Sequence, residues 1–405
     1  MNKKLIALAI ASAVSMPVLA DTSNVNIYGT LDVGVDDVSN VTAAGGNNNV
    51  GRFADYGSFL GLKGSENVGN GVSAIWQIEQ GISLSGGNNA SYNLNGHTGF
   101  AQNPYNNQRN SFVGLSSTTA GTILGGIHDT PYKMATASMD PFADTLGDYN
   151  GIVGAAGSYG MSASNYFDLR PTNTLAYVSP NLNGLTLAGA YVFGDATNTN
   201  PAGLVNNMNG TAAANSTGDA YSIAAMYNLG PAYLTAAYEK HNFGATGNGS
   251  MGYTPLAGLS NDAWKLGASY SVMDLTLSLM YEDSNDNFGV GGGNLVGHHT
   301  WYGSAKYKMG AYDVALAYAN AGSGAQSNTG ADQYTIGGDY NFSKNTQAFL
   351  LYTRIANDSN AYYNFADTTA PVAGGGGYYD PNTGVFSGVA GATISAVSLG
   401  IKHSF

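Results

Sequence analysis

The chain has 405 residues, of which 43% are hydrophobic and only 10% charged, with 57 Gly, 28 Tyr and no Cys. Soluble domains carry about 25% charged residues, and a helical membrane protein needs apolar runs of roughly 20 residues; the longest run here is Leu5–Val14. The lack of Cys excludes disulfides and thiolate chemistry, 11% aromatics argue against disorder, and a net charge of −12 argues against nucleic-acid binding by bulk electrostatics.

The N-terminus predicts a cleavable secretory signal over residues 1–20. Lys3 and Lys4 precede the apolar Leu5–Val14, and Val18-Leu19-Ala20 supplies a small-residue cleavage site. The mature chain then runs from Asp21 to Phe405 as a single domain, with 12 basic and 26 acidic residues, a net charge of −14. With no later apolar run long enough to span as a helix, the expected destinations are secretion, the periplasm or an outer membrane.

From Val25 onward polarity alternates with period two, the strand period. Val25, Ile27, Leu31, Val33 and Val35 share one face; Asn26, Tyr28, Thr30, Asp32 and Asp36 share the other. In chain order the predicted strands are 25–38, 51–65, 71–85, 109–117, 120–130, 170–180, 184–193 and 218–228 in the first half. The second half adds 231–241, 261–271, 274–284, 299–309, 312–321, 330–341, 346–356 and 393–405. The last strand puts Val397, Leu399, Ile401, His403 and Phe405 opposite Ser398, Gly400, Lys402 and Ser404. Short turns such as Asn181-Leu182-Asn183 and Leu229-Gly230 alternate with long connections near 39–50, 86–108, 131–169, 194–217, 242–260, 285–298, 322–329 and 357–392.

Sixteen segments of about ten alternating residues, with short turns on one side and long loops on the other, predict an all-β fold: a 16-stranded antiparallel transmembrane β-barrel. The outward tracks Leu60/Leu62, Trp76/Ile78, Leu185/Leu187/Tyr191 and Tyr312/Val314/Leu316/Tyr318 lack the charge a soluble sheet would carry. Tyr and Phe near strand ends suit the two interfacial girdles. The Gly/Asn/Thr-rich stretches Gly45–Asn49, Asn198–Thr217 and Gly374–Gly377 read as solvated loops.

Several motifs then resemble one family, in that family's order and over almost the whole mature chain. They are Asn26-Ile27-Tyr28-Gly29-Thr30-Leu31-Asp32, Leu62-Lys63-Gly64-Ser65-Glu66-Asn67-Val68-Gly69 and Ala74-Ile75-Trp76-Gln77-Ile78-Glu79 in the first three strands. Arg109-Asn110-Ser111-Phe112-Val113-Gly114-Leu115, His128-Asp129-Thr130-Pro131-Tyr132-Lys133 with Asp140-Pro141-Phe142, and Arg170-Pro171-Thr172-Asn173-Thr174-Leu175 follow. Together they resemble the general diffusion porins of Gram-negative bacteria, of the proteobacterial trimeric kind. The resemblance implies a homotrimer in the cell outer membrane, with the third loop of each barrel folded into the lumen. It also implies contact with outer-membrane lipid and lipopolysaccharide, and a terminal Phe405 that serves as a signal to the outer-membrane assembly machinery. Small polar solutes and ions would cross by passive diffusion, without cofactor or chemical step.

The same resemblance places a row of wall cations against acids on the third loop. Arg109 and Arg170 match the family's wall arginines, and an Arg on the lipid face would cost about 2–4 kcal/mol at midplane. Lys63 and Glu79 fall on lumenal tracks, and Asp140, Asp144 and Asp148 are the candidate loop acids. Opposed fixed charges across a narrow slot create a transverse field that orients polar solutes and biases which ion enters. Phe59 and Gly126 stand where the family commonly has Arg, so with the acidic balance a weak cation preference is expected.

Other chemistry is poorly supported. The six His are scattered, and only His298-His299 are adjacent, where strand neighbours point to opposite faces. Asp283–Gly289 faintly resembles a calcium loop but lacks its Gly and its terminal Glu. No Gly-x-Ser-x-Gly occurs, and no nucleophile–base cluster stands out. The alternative to a general pore is a substrate-specific channel with a saturable site, for which Tyr132, Phe142, Tyr149 and Tyr166 in or beside the third loop could line a sliding surface.

Overall fold

The computed structural model describes residues 24–39, 49–85, 109–155, 167–194, 218–242, 259–287, 290–366, 378–380, 385–387 and 390–405. The expected signal segment 1–20, the second loop over 86–108, and the loop stretches 45–48, 198–217 and 374–377 lie outside them.

Sixteen spans close on themselves. They are β1 Asn24–Ser39, β2 in two pieces (Val50–Asp55 and Phe59–Gly69), β3 Val72–Gly81, β4 Ser111–Ser117, β5 Gly121–Ile127 and β6 Thr174–Val178. Then come β7 Leu185–Val192, β8 Asp219–Leu229, β9 Ala232–Asn242, β10 Ser260–Val272 and β11 Leu275–Asp286. β12 His299–Met309, β13 Tyr312–Ala321, β14 Ala331–Asn341, β15 Thr346–Asn357 and β16 Thr393–Ser404 complete the wall. Each pairs antiparallel with its neighbour in the chain, and β1 pairs with β16 from Thr30↔Ser404 to Ser39↔Ser395. The seam is finished by Phe405, whose N–H donates to the Gly29 carbonyl and whose carbonyl accepts from the Gly29 N–H, both at 3.1 Å.

The period-two pattern sorts side chains as expected. Leu60, Leu62, Ile78, Leu187, Tyr191, Tyr312, Val314, Leu316 and Tyr318 are exposed on the outside, with Trp76 and Leu185 half-buried. Aromatic rings stack across strands toward each end of the wall. Trp264–Tyr281 and Tyr281–Trp301 lie at 5.3 and 4.7 Å on one side, and Tyr312–Tyr340 at 4.9 Å on the other. His403, on the face of the last strand it shares with Phe405, hydrogen-bonds Thr346 Oγ1 at 2.9 Å and stacks on Phe405.

The inner face divides into two halves. On β8 to β14 it is lined with small residues, including Ala220, Ala224, Ala237, Ala263, Ala315, Ala317, Ala319 and Ala321, all buried. Into the room they leave pack Tyr132, Ala135, Met139, Phe142, Leu146, Tyr149, Ile152 and Val153 of the 128–173 segment. This is the third loop, and it carries the six-residue helix Pro131–Thr136. Gly267 and Gly147 are required by the approach: a Cβ on Gly267 would meet Met139 Sδ at 2.7 Å, and one on Gly147 would meet Thr335 at 2.5 Å.

Three details depart from the sequence reading. The second strand is interrupted at Tyr56–Ser58, where Gly57 takes φ +85° and Asp55 Oδ1 accepts from the N–H groups of Gly57 and Ser58. β1 meets both pieces, Thr30 opposite Phe59 and Val33 opposite Asp55, so the break is a bulge within one span. The sixth strand starts at Thr174, four residues after Arg170, which belongs to the loop end instead. The 357–392 connection holds a short hairpin, Tyr378–Asp380 with Val385–Ser387.

Gly29 gives a test of closure. A Cβ there would fall 2.5 Å from the Phe59 carbonyl oxygen and 2.8 Å from the Phe405 ring. Gly29→Val should destabilise the barrel by about 1–3 kcal/mol, the scale of overpacking. Its folded, heat-modifiable band on a gel should melt at a lower temperature than that of the wild type.

Candidate pore constriction

The third loop is built to leave one wall and lie on the other. Thr130 caps its helix, its Oγ1 accepting from Lys133 N at 3.3 Å, and Pro131 occupies the first turn, where a missing N–H costs nothing. Tyr132 reaches the far wall and donates to Glu282 Oε2 at 2.7 Å, while Gly154 N donates to Glu282 Oε1 at 2.8 Å. One strand carboxylate thus holds both arms of the loop. The buried Lys265 pairs with Asp168 and lies 4.0 Å over the Tyr132 ring, tying down the returning chain. Ser304 Oγ and Tyr233 OH donate to the Met139 and Ala135 carbonyls at 2.8 and 2.7 Å.

The three loop acids occupy different places. Asp140 is buried, accepting from Phe142 N, Tyr149 N and Tyr302 OH at 2.9 to 3.1 Å. Asp148 is half-buried and accepts from the N–H groups of Asn150 and Asp144 at 2.8 and 3.0 Å. Asp148 therefore folds the loop on itself, and Asp140 does so while also tying it to the wall through Tyr302. Asp144 is exposed, its φ of +59° swinging it out of the loop. Burial, then the charge of Asp148, pushes the Asp140 carboxyl up to about 8. Burial, opposed by the Asn150 N–H and reinforced by Asp144, pushes Asp148 up to about 6.

Facing the loop, β1 to β4 present a compact charged and aromatic cluster. Tyr28 reaches across Gly61 and donates to Glu79 Oε1 at 2.8 Å, and Gln77 Nε2 donates to the same oxygen at 3.0 Å. Arg109 Nε lies 3.8 Å from Glu79 Oε2, and its guanidinium sits 4.7 Å over the Phe59 ring. Lys63 Nζ lies 4.5 Å over Tyr28. The structure thus brings Arg109, Glu79 and Lys63 together. It also brings Asp144 to them: a methyl placed on Gly57 would lie 3.4 Å from Arg109 Nη1 and 4.0 Å from Asp144 Oδ1. The β2 bulge makes the gap where wall cation and loop acid approach.

Arg170 stands apart, at the loop's base. Its Nε donates to Asp129 Oδ1 at 2.9 Å and to Asn110 Oδ1 at 3.1 Å, and Lys133 Nζ lies 3.7 Å from the same Asp129 oxygen. Burial raises the Asp129 carboxyl, but Lys133, Arg170 and Asn110 outweigh it and hold the group below the usual carboxylate range.

The sequence reading missed Asp129 and Glu282, although Glu282 lies on the inward track with Ser278 and Met280. It also missed the lumenal pairs Asp32–Lys402, Asp36–Arg52 and Lys306–Asp313, whose signal was the register of neighbouring strands. Tyr132, Phe142 and Tyr149 are buried against the wall, so they offer no sliding surface; Tyr166 lies outside the described residues. In the calcium-like segment, Asp286 gives its carboxylate to the N–H groups of Leu295, Val296 and Gly297. That carboxylate staples its own loop.

Comparison with known proteins agrees with this architecture. Residues 7–361 match the family model described as Gram-negative porin. The chain is 26% identical to the major outer membrane protein P.IA of Neisseria meningitidis serogroup B, with all of both chains covered. It is likewise 26% identical to an outer membrane porin protein of Bordetella pertussis, again over all of both chains. An anion-selective porin from Comamonas acidovorans superposes with a TM-score of 0.68 at 22% identity, covering 95% of this chain and 100% of that one.

The buried loop acids predict a pH dependence. An acid whose pKa is raised on folding binds more protons folded than unfolded, so loop docking weakens as pH rises from about 4, the ordinary carboxylate value, towards about 8. After correction for intrinsic rates, amides of 131–155 should exchange faster at pH 8 than at pH 5. Asp140→Asn should shrink that difference.

Proposed function

The chain belongs to the Gram-negative porin family, and from that premise we propose that it forms a water-filled pore for passive diffusion of ions and small hydrophilic solutes, with a weak preference for cations. It is an outer-membrane protein. The observation that carries the reading is the eyelet itself: a loop docked on one half of the wall leaves the other half lined by Arg109, Glu79 and Lys63, with Asp144 exposed opposite. Such a slot aligns dipolar solutes and admits hydrated ions, and it needs no nucleophile or cofactor.

The sign of selectivity follows from how the cations are used. Arg52, Arg109, Lys133, Arg170, Lys306 and Lys402 each lie within 4.0 Å of a carboxylate. Their positive field is largely cancelled locally; the exposed Lys63 and Asp144 offset one another across the eyelet, and the acidic excess of the chain sets the weak cation sign. The barrel assembles as a homotrimer in contact with lipopolysaccharide, and Phe405 is the segment read by the assembly machinery. The position of Phe405 at the closing seam supports that last role.

In a planar bilayer across a KCl gradient, the protein should give large, non-saturating steps closing in threes and a small zero-current potential of cation sign. Glu79→Gln frees Arg109 and should lower the cation-to-anion permeability ratio by about twofold, the scale of a screened charge contact of ~0.5 kcal/mol. Asp144→Asn should act in the same direction. An anion-sign potential in the wild type would overturn the selectivity assignment.

A further inference from the structure

In the eyelet the Arg109 guanidinium rests on a ring. Its Nε is buried and makes no hydrogen bond among the described residues, and Glu79 Oε2 at 3.8 Å lies beyond hydrogen-bonding reach. A buried N–H without an acceptor is costly, yet this carboxylate stands within about 1 Å of accepting it. Glu79 does not close the gap, because its other oxygen is fixed by Tyr28 OH and Gln77 Nε2 at 2.8 and 3.0 Å. The guanidinium does not close it either: its Cζ sits 4.7 Å from the centre of the Phe59 ring, a stacking that Arg favours. Phe59 is in turn propped by Tyr28, with ring centroids 6.0 Å apart and planes at 77°. Tyr28 lies on Gly61, where a Cβ would meet its ring.

We propose that Phe59 is the positioning residue of the eyelet: its ring holds the Arg109 guanidinium off Glu79 and turned to the bulge at Gly57, which Asp144 also borders. The inference deepens the channel reading above and rests on it. Held there, Arg109 opposes Asp144 and supplies the positive side of the transverse field. An aliphatic side chain of similar size fills the same room but offers no negative ring face to a cation. Without that face the guanidinium closes on Glu79 as a charge-assisted pair, and Asp144 loses its counterpart. The eyelet keeps its net charge, but the carboxylate left unanswered is the exposed one. Cations are then favoured more than in the wild type, the opposite of the change expected for Glu79→Gln.

The test is planar-bilayer recording of the full-length protein across a KCl gradient, with Phe59→Leu, Phe59→Tyr, Arg109→Gln and the double variant Phe59→Leu/Arg109→Gln. Phe59→Leu should raise the cation-to-anion permeability ratio by about two- to fivefold, the span of a cation–π contact. Phe59→Tyr keeps the ring and should hold the wild-type ratio. In the Arg109→Gln background, Phe59→Leu should leave the ratio where Arg109→Gln alone puts it. A ring acting only by its bulk would change conductance alike in both backgrounds and leave the ratio alone. If Phe59→Leu fails to fold, Phe59→Met carries the same comparison. A ratio untouched or lowered by Phe59→Leu, one shifted equally by Phe59→Tyr, or one that still shifts without Arg109 would overturn the positioning role while leaving the channel intact. No conductance from the wild type would overturn the channel reading itself.

Discussion

Hydrocarbon offers no partner for a backbone N–H or C=O, and everything in this molecule follows from meeting that condition. A sheet satisfies it only by returning to its own first strand. Here the return is made by ten paired residues of β1 and β16 and finished by Phe405 on Gly29. Closure fixes the register of every strand between, and register decides which of two alternating sets of side chains meets lipid and which meets water. The outward Leu, Val and Tyr and the inward Asp, Glu, Lys and Arg are two readings of one ladder.

A closed barrel of this size is hollow, so its inner surface can be specialised. One half is given to packing: alanines on β8 to β14 make a shallow bed, and Glu282, Ser304 and Lys265 supply fixed partners for the loop. The other half stays wet and charged. The loop is thereby positioned by the wall it rests on and presents its exposed Asp144 to the other. The helix of Pro131–Thr136 is far too short to persist alone in water and owes its existence to this bed.

The strand count, the inward and outward tracks and the seam were legible because a period-two pattern is local and strongly enforced by lipid. The bulge at Gly57 was not, since its cause is an Asp55 side chain turning back on two N–H groups, a choice invisible to periodicity. Arg109, Lys63 and Glu79 were found because charged residues on a lumenal track have few other uses. Asp140 and Asp148 could not be told from Asp144, because which acid faces water depends on the loop's internal hydrogen bonds. Asp129 was passed over for a related reason: its importance comes from Arg170 and Lys133, distant or unremarkable in sequence.

The pairing of the wall cations changes how far the lumen can act. An isolated charge is felt as the inverse of distance, whereas a neighbouring opposite charge turns it into a dipole whose reach is much shorter, and salt shortens it further to about 8 Å. In the channel proposed above, ions travelling along the axis therefore pass through an almost neutral corridor. A solute that brushes the wall enters strong fields that reverse sign from one side chain to the next. In that proposed channel such a surface sorts molecules by touch: bulky polar solutes are discriminated by the pattern of their charges, while the smallest ions pass nearly unread.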